Sequence, residues 1–597
     1  MVEGKNMNVA EYLVSFIEKK QIDRVFGVVG GAVLWICKAF NESQKIQPVF
    51  TNHEQTAVMA ADGWARVSGK PGVVFTINGP GMTNAVTGIA QAWTDSSPVI
   101  LITGNSNLNS VKYEREKRVR QYGTQDVRTD EIMKSITKKS FLLERPEDAP
   151  KCFEEAYILS MEGRPGPVCI EIPINVQSAE VPEDISYDLV DWKVHYNEFG
   201  AVKIADVLKK AKRPLILAGQ GIRLAGAVGQ FRTFIKKYQI PVVNSRMGID
   251  SMVSDSELYV GRAGNHGNRA SHFAIQTCDV LLVIGSRLAP NTTGYDVSKF
   301  SNQSYKILIE VEKCELEKYR MHIDEVINTD LKIFLDKMNQ VEQFETDAER
   351  KKWIKCCVEW KKSYPIMQEK YYVTPQISTY RAVEVISNLA EDKDLILSDT
   401  GSCCSIVSQV WNVKEGQRIF ISGGLSAMGY WATSMGVAFG NKGNGRVICF
   451  VGDGSLQMNI QELSTIKSYG LPIKFFVINN NGYQFVRMSQ RAYGIEPPFG
   501  TEIKSGVPIP EIRKIVEAYG LNYTKCAEPQ LLEAVVKNVL NSNQTEVCEI
   551  FVEEEQEVCP RLKSVALKDG TFVSPEYHNL YPFLEKDILE KELKKAY

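Results

Sequence analysis

No stretch of the chain approaches the roughly 20 uninterrupted apolar residues that a membrane-crossing helix needs, so no span is expected. Residues 1–8 lack the apolar core of a secretory signal. With 70 basic against 72 acidic residues the net charge is −2, which leaves no electrostatic case for nucleic acid. The 13 cysteines carry no metal-ligand spacing: Cys356-Cys357 and Cys403-Cys404 are adjacent pairs, not CxxC sites. That usage suits free thiols in a reducing cytoplasm, the expected location. Histidine is scarce, six in 597 residues, and His53-Glu54 lacks the second His of a zinc motif.

Short apolar strands alternate with helical stretches throughout, the pattern of parallel-sheet α/β folds. The length suits several domains, each able to bury a core. Three such domains and a tail are expected, over residues 1–180, 190–345, 365–553 and 554–597. A polar linker, 178–188, follows the first. The second includes strands at 214–218, 280–284 and 307–309; its Gly219-Gln220-Gly221 is a weak dinucleotide signal. The charged stretch 342–362 reads as a solvated helix face. An amphipathic segment, 584–593, reads as a docking helix, either covering a site or capping the fold. The first and third domains show no close internal repeat.

The chemistry begins at Val447-Ile448-Cys449-Phe450-Val451, an apolar run that stops at Gly452 like a buried parallel strand. Asp453 then stands at the carboxyl end of that strand, where open α/β sheets bind ligands. Gly454 allows a sharp turn and close backbone approach. Ser455 opens a helix expected over 456–469, whose first N–H groups face an anion. A second strand, 471–478, ends in Asn479-Asn480-Asn481-Gly482. A right-handed crossover makes the two strand ends neighbours. One carboxylate (Asp453), one amide oxygen (Asn480) and the Gly482 carbonyl suit magnesium, which fills its remaining positions with phosphate oxygens and water. Either half alone is also an ordinary turn or loop; the pair across strand–helix–strand is what argues for a metal diphosphate.

A distant stretch, Asn52-His53-Glu54-Gln55, places an acid after the strand Pro48-Val49-Phe50 and at the start of a helix running to Arg66. Alone, a Glu in this first-turn position is more often only a helix-dipole partner. Beside a metal diphosphate it suits thiamine diphosphate, where a carboxylate on pyrimidine N1′ favours the imino tautomer and a bent cofactor brings the 4′-nitrogen to C2. Gly424-Leu425-Ser426-Ala427-Met428-Gly429 offers Met428 to fill the bend, though alone Met428 is also ordinary core.

With these residues placed, the chain resembles thiamine-diphosphate-dependent enzymes of the acetolactate synthase family from about residue 8 to residue 585. The matching stretches include Phe26-Gly27, Gly30-Gly31-Ala32, Asn52-His53-Glu54-Gln55, Gly79-Pro80-Gly81, Gly163-Arg164-Pro165-Gly166, Met428-Gly429 and the motif from Gly452 to Asn480. The resemblance implies a pyrimidine-binding, a central Rossmann-like and a diphosphate-binding domain. It implies Glu54 as the N1′ activator and Met428 as the wedge. Asp453, Asn480 and Gly482 would hold Mg2+, with Gly401, Ser402, Ser426, Gly452, Gly454 and Ser455 about the cofactor. Gly31 and Gln125 would lie near the bound intermediate. The family's two half-sites meet across a subunit interface, implying a homodimer or homotetramer.

The departures are specific. Ile174 replaces the family's Lys after Leu-Pro, Thr124 replaces Phe before Gln125, and Ser402-Cys403 replaces a Gln-His pair. The variant resembles acetolactate-synthase-like carboligases of bacterial surface-sugar pathways. That implies a 2-keto acid donor, with pyruvate the first choice, and a carbonyl acceptor that includes nucleotide-linked keto sugars. For FAD the resemblance is divided. Asn265-His266-Gly267 and Gly285-Ser286-Arg287 fit the middle-domain loops, while Ala289-Pro290-Asn291 replaces two acids and an Arg. The balance leans towards FAD. A 2-keto acid decarboxylase, a flavin-linked oxidase and a catalytically silent scaffold remain open at this level.

Overall fold

The computed structural model describes residues 7–182, 187–318, 320–566 and 571–597. Residues 183–186 of the expected linker, and 1–6 of the N-terminus, lie outside the described residues. Three six-stranded sheets form the frame, and every pairing in them is parallel. The first runs in the spatial order Gln47–Phe50, Arg24–Gly27, Gly72–Ile77, Val99–Asn105, Val168–Pro173, Ser140–Leu142. The third runs Arg418–Ile421, Leu395–Ser398, Val447–Gly452, Ile473–Asn479, Glu546–Phe551, Asn522–Cys526. Counted from the first strand of each, these two orders are the same, 2-1-3-4-6-5, although their sequences show no close repeat. The middle sheet instead has the 3-2-1-4-5-6 order of Rossmann folds. The α/β expectation of three parallel-sheet domains therefore holds.

The first and third sheets are joined through two helices, Glu54–Ser68 and Thr433–Asn441. Their backbones approach so closely that a Cβ on Gly436 would collide with the Ala60 carbonyl oxygen, and one on Gly63 with that of Thr433. Beside the crossing Arg66 bonds Asp62 at 2.7 Å and Asp95 at 3.2 Å, all three inaccessible to solvent or nearly so. Asp95 also accepts the N–H groups of Gly423 and Gly424 at 3.2 and 2.7 Å.

One expectation differs from the structure. The helix over 456–469 is broken: Asp453–Leu456 forms one turn and the helix resumes at Glu462–Ser468. Asn459 lies between them with φ 72°, and its Nδ2 donates to the Gly429 carbonyl at 3.0 Å, so the helical ladder cannot continue. The charged stretch 342–362 does present a solvated helix face, and the opposite face is buried. Its helix Ala348–Ser363 buries Trp353, Cys356, Cys357 and Trp360 against the middle domain, with Trp353 Nε1 donating to the Pro214 carbonyl at 2.9 Å. The tail helix Lys586–Lys594 docks on that same cluster through Leu589 and Leu593.

Gly436→Ala must push apart the two helices, which typically costs about 1–3 kcal/mol. The expected outcome is a lowered melting temperature in thermal denaturation, with Gly443→Ala, whose Cβ meets open space but has φ 81°, as a milder control.

Candidate active site

The residues singled out in the sequence fall into two clusters, each at the carboxyl ends of a sheet. At the first sheet, Glu54 begins its helix immediately beyond the strand Gln47–Phe50, with His53 capping the helix through Nδ1. Asn84 Nδ2 donates to Glu54 Oε2 at 2.9 Å, and a Cβ on Gly81 would lie 3.2 Å from Oε1. Gly81 therefore keeps space beside the carboxylate. Gln125 stands with φ 64° and its carbonyl presses on Gly79, which cannot carry a side chain there. Gly31 is exposed, and a Cβ on it would meet nothing within 4 Å.

At the third sheet the arrangement is tighter. Asp453 is 0 % exposed and Asn480 3 %. The Gly482 N–H donates to Asp453 Oδ2 at 2.8 Å, and Asn480 Nδ2 donates to Gln484 Oε1 at 3.1 Å. These bonds leave the second carboxylate oxygen of Asp453, Oδ1, and the amide oxygen of Asn480, Oδ1, buried with no hydrogen-bond partner. Burying a polar atom without a partner is costly, and two oxygens left so from adjacent strand ends fit a hard cation. Burial first, and the nearby Glu549 carboxylate second, push the Asp453 carboxyl up to about 7 against the pull of the Gly482 and Gly454 N–H groups.

The neighbouring backbone fits an anion. Gly401, φ 93°, precedes the helix Ser402–Val410, and a Cβ on it would meet nothing within 4 Å. Gly452 likewise meets open space, whereas Gly454 has no room for a side chain against the Tyr483 ring. The turn Asp453–Leu456 thus presents bare backbone beside the N-terminus of a nine-residue helix, as phosphate sites do. Ser426 (φ 53°) is exposed and Met428 half-buried, on the loop pinned by Asp95.

Sequence reasoning missed several residues that hold this site. Asp399, 0 % exposed, accepts from Thr400 N–H at 2.6 Å, Trp431 N–H at 3.3 Å and Ser455 Oγ at 2.9 Å. Burial pushes its carboxyl up to about 6, against the pull of these donors. Its signal was present, since it ends an apolar strand two residues before Gly401. Arg487 is buried and donates to the carbonyls of Asn480 and Glu554, both at 2.9 Å. Glu462, where the broken helix resumes, accepts from Asn52 N–H at 3.0 Å and Thr56 Oγ1 at 2.7 Å, fixing the loop that leads into Glu54. Among the described residues no hydrogen bond or ion pair joins Glu54 to Asp453, Asn480 or the loop 424–428.

A separate cavity of about 700 Å3 lies where the three domains meet. Gly221, Gly285, Arg246 and Arg287 line it, and it reaches the cofactor region only at Gly423 and Gly424. Gly219, of the weak Gly-x-Gly, packs so tightly on the Gly285 backbone that neither half admits a larger residue.

Residues 7–132, 201–338 and 399–550 match the N-terminal TPP binding domain, the central domain and the C-terminal TPP binding domain of thiamine pyrophosphate enzymes. The fold and the two clusters thus define a thiamine-diphosphate-dependent enzyme. The acetolactate synthase large subunit of Lactococcus lactis is 31% identical over 93% of this chain and 94% of its own length. A probable acetolactate synthase large subunit of Methanocaldococcus jannaschii is 30% identical over 92% of each. The isozyme 2 large subunit of Escherichia coli is 28% identical over 93% of this chain and 97% of its own. The chain belongs to the acetolactate synthase large-subunit family.

The raised Asp453 carboxyl carries a signed prediction. A carboxyl whose folded pKa lies above its unfolded value is destabilised once ionised, so the cofactor-free protein loses stability as pH rises from about 4 through about 7, and this contribution levels off above that. Mg2+ with thiamine diphosphate is expected to raise the melting temperature more at pH 8 than at pH 6. Asp453→Asn is expected to remove that shift and leave the cofactor-free protein at least as stable.

Proposed function

We propose that the protein decarboxylates a 2-keto acid, pyruvate by preference, and transfers the two-carbon unit to a carbonyl acceptor that is a nucleotide-linked keto sugar. The observation that carries the cofactor assignment is the pair of orphaned oxygens, Asp453 Oδ1 and Asn480 Oδ1, beside bare glycine backbone. When bound, thiamine diphosphate supplies the carbon nucleophile and electron sink through which a 2-keto acid loses carbon dioxide. Asp453, Asn480 and the Gly482 carbonyl would hold Mg2+. Backbone from Gly401, Ser402, Gly452, Gly454 and Ser455 receives the diphosphate, with Ser426 on the same side. Glu54 would hold a proton at the pyrimidine N1′, and Met428 would pack against the cofactor's rings. Gly31 and Gln125 border the reacting carbon, and Gly31, having no side chain, leaves an acceptor room.

The acceptor reading rests on Ile174, Thr124 and Ser402-Cys403, where the family pattern changes. FAD is assigned to the cavity where the three domains meet, whose volume lies within the roughly 300–1,000 Å3 usual for cofactor sites. The active unit is a homodimer or a larger even assembly. Among the described residues Glu54 and the metal turn make no bond within one chain, and each half-site is flanked by exposed apolar side chains: Val29, Leu34 and Trp35 near Gly31, Val486 and Phe499 beyond Gly482. A second copy covering both would complete the site and exclude water, which must be kept from the reacting carbon.

Two measurements test this reading. Glu54→Gln is expected to lower turnover at least about a hundredfold while thiamine diphosphate still binds; full activity in that variant refutes the mechanism. Carbon-13 pyruvate followed by NMR, with and without nucleotide-linked keto sugars, should place label on the sugar. Efficient labelled acetolactate without a sugar would instead assign acetolactate as the product.

A further inference from the structure

The hydroxyl of Ser455 sits where a phosphate ligand is expected, yet its bonds are already spoken for. Its oxygen accepts the Gly429 N–H at 3.0 Å, and it lies 2.9 Å from Asp399 Oδ2. An ionised carboxylate only accepts, so the hydroxyl proton points to Asp399 and away from any phosphate. Asp399 has no basic partner among the described residues; it is held by N–H and O–H donors alone, from Thr400, Trp431 and Ser455. Two of those donors lead to one short segment. Trp431 N–H and, through Ser455, Gly429 N–H both belong to the turn that follows Met428. The same turn is gripped from the other side, where Asn459 Nδ2 donates to the Gly429 carbonyl at 3.0 Å and Trp431 Nε1 to the Met458 carbonyl at 2.9 Å. Gly429 has φ 81° and no space for a side chain against Met458 and Asn459.

We propose that Asp399 is a positioning residue which, through the Ser455 hydroxyl, locks the turn carrying Met428 to the turn that captures the diphosphate, so that binding and bending of the cofactor are set by one buried network. Ser455 then meets the diphosphate with its backbone and holds the wedge with its side chain. This rests on the thiamine diphosphate reading above. It assigns to Ser455 Oγ a role other than phosphate ligation, and to Asp399 a role that its burial alone does not specify.

The test uses the full-length protein with Mg2+. Two quantities are measured in each variant: the Kd for thiamine diphosphate by titration calorimetry, and the rate of C2 deuterium exchange of the saturated cofactor by NMR. Wild type must bind the cofactor and show exchange that depends on Glu54; failure there refutes the proposed function and is separate from the present inference. Ser455→Ala loses a hydrogen bond to a charged group, so exchange is expected to slow about tenfold or more while Kd stays within about threefold. Asp399→Asn should slow exchange similarly, and the double variant should be no slower than the worse single one, since both break one relay. Ser455→Thr keeps the hydroxyl and should recover most of the exchange rate. The proposal is overturned if Ser455→Ala weakens Kd tenfold with exchange intact at saturation, because the hydroxyl would then be a phosphate ligand. It is equally overturned if both quantities are unchanged, or if the two substitutions add. Should Ser455→Ala weaken cofactor binding, slow exchange and lower the melting temperature together, Ser455→Thr decides: failure to restore exchange in a stably folded Thr variant also sinks the idea.

Discussion

The crossing of the helices Glu54–Ser68 and Thr433–Asn441 is the constraint on which everything else depends. Two sheets of the same strand order must face one another through a contact too close for any side chain at Gly63 or Gly436. Interiors packed to crystal-like density do not slide, so this contact fixes the distance and rotation between both sets of strand ends. It also explains why the buried Arg66–Asp62–Asp95 group can be used as a rivet: the charges are paired and hydrogen-bonded, which is the condition for burying them. Asp95 extends the rivet to Gly423 and Gly424, so the loop that leads to Met428 is fastened to the opposite domain.

At the third sheet, irregular backbone does what regular helix could not. Had residues 456–469 formed one continuous helix, neither Asn459 nor the Met458 carbonyl would have been free to hold the turn at Gly429 and Trp431. The interruption also starts a fresh helix at Glu462, whose carboxylate then reaches the Asn52–Thr56 loop. Backbone departures of this kind cluster at functional sites because the surroundings over-determine them.

Much of this was legible in the amino-acid sequence. Continuous apolar runs ending in Gly-Asp-Gly-Ser and Asn-Asn stated both the strands and their ligand-binding ends, since a parallel strand buried on both faces has no polar alternation to confuse it. The identical strand order of the first and third sheets was not legible, because equal topology needs only equal patterning, not equal residues. The break at Asn459 was hidden as well: propensity favours helix there, and only tertiary bonds to Gly429 reverse it. Asp399 was overlooked for a related reason. A single acid after a strand is common, and its weight comes from three donors that meet it only in the folded chain. The one-sided burial of the 348–363 helix was masked by its many charges, which occupy the other face.

The pair of buried oxygens without partners reaches beyond catalysis. On the proposed reading, in which Mg2+ and thiamine diphosphate supply the partners these oxygens lack, the folded state is linked to the concentrations of both by mass action. In a cell where opened chains are cleared by proteases, scarcity of either would shorten the lifetime of the polypeptide itself. Nutrient supply would thus be read out as protein abundance, with no dedicated sensor required.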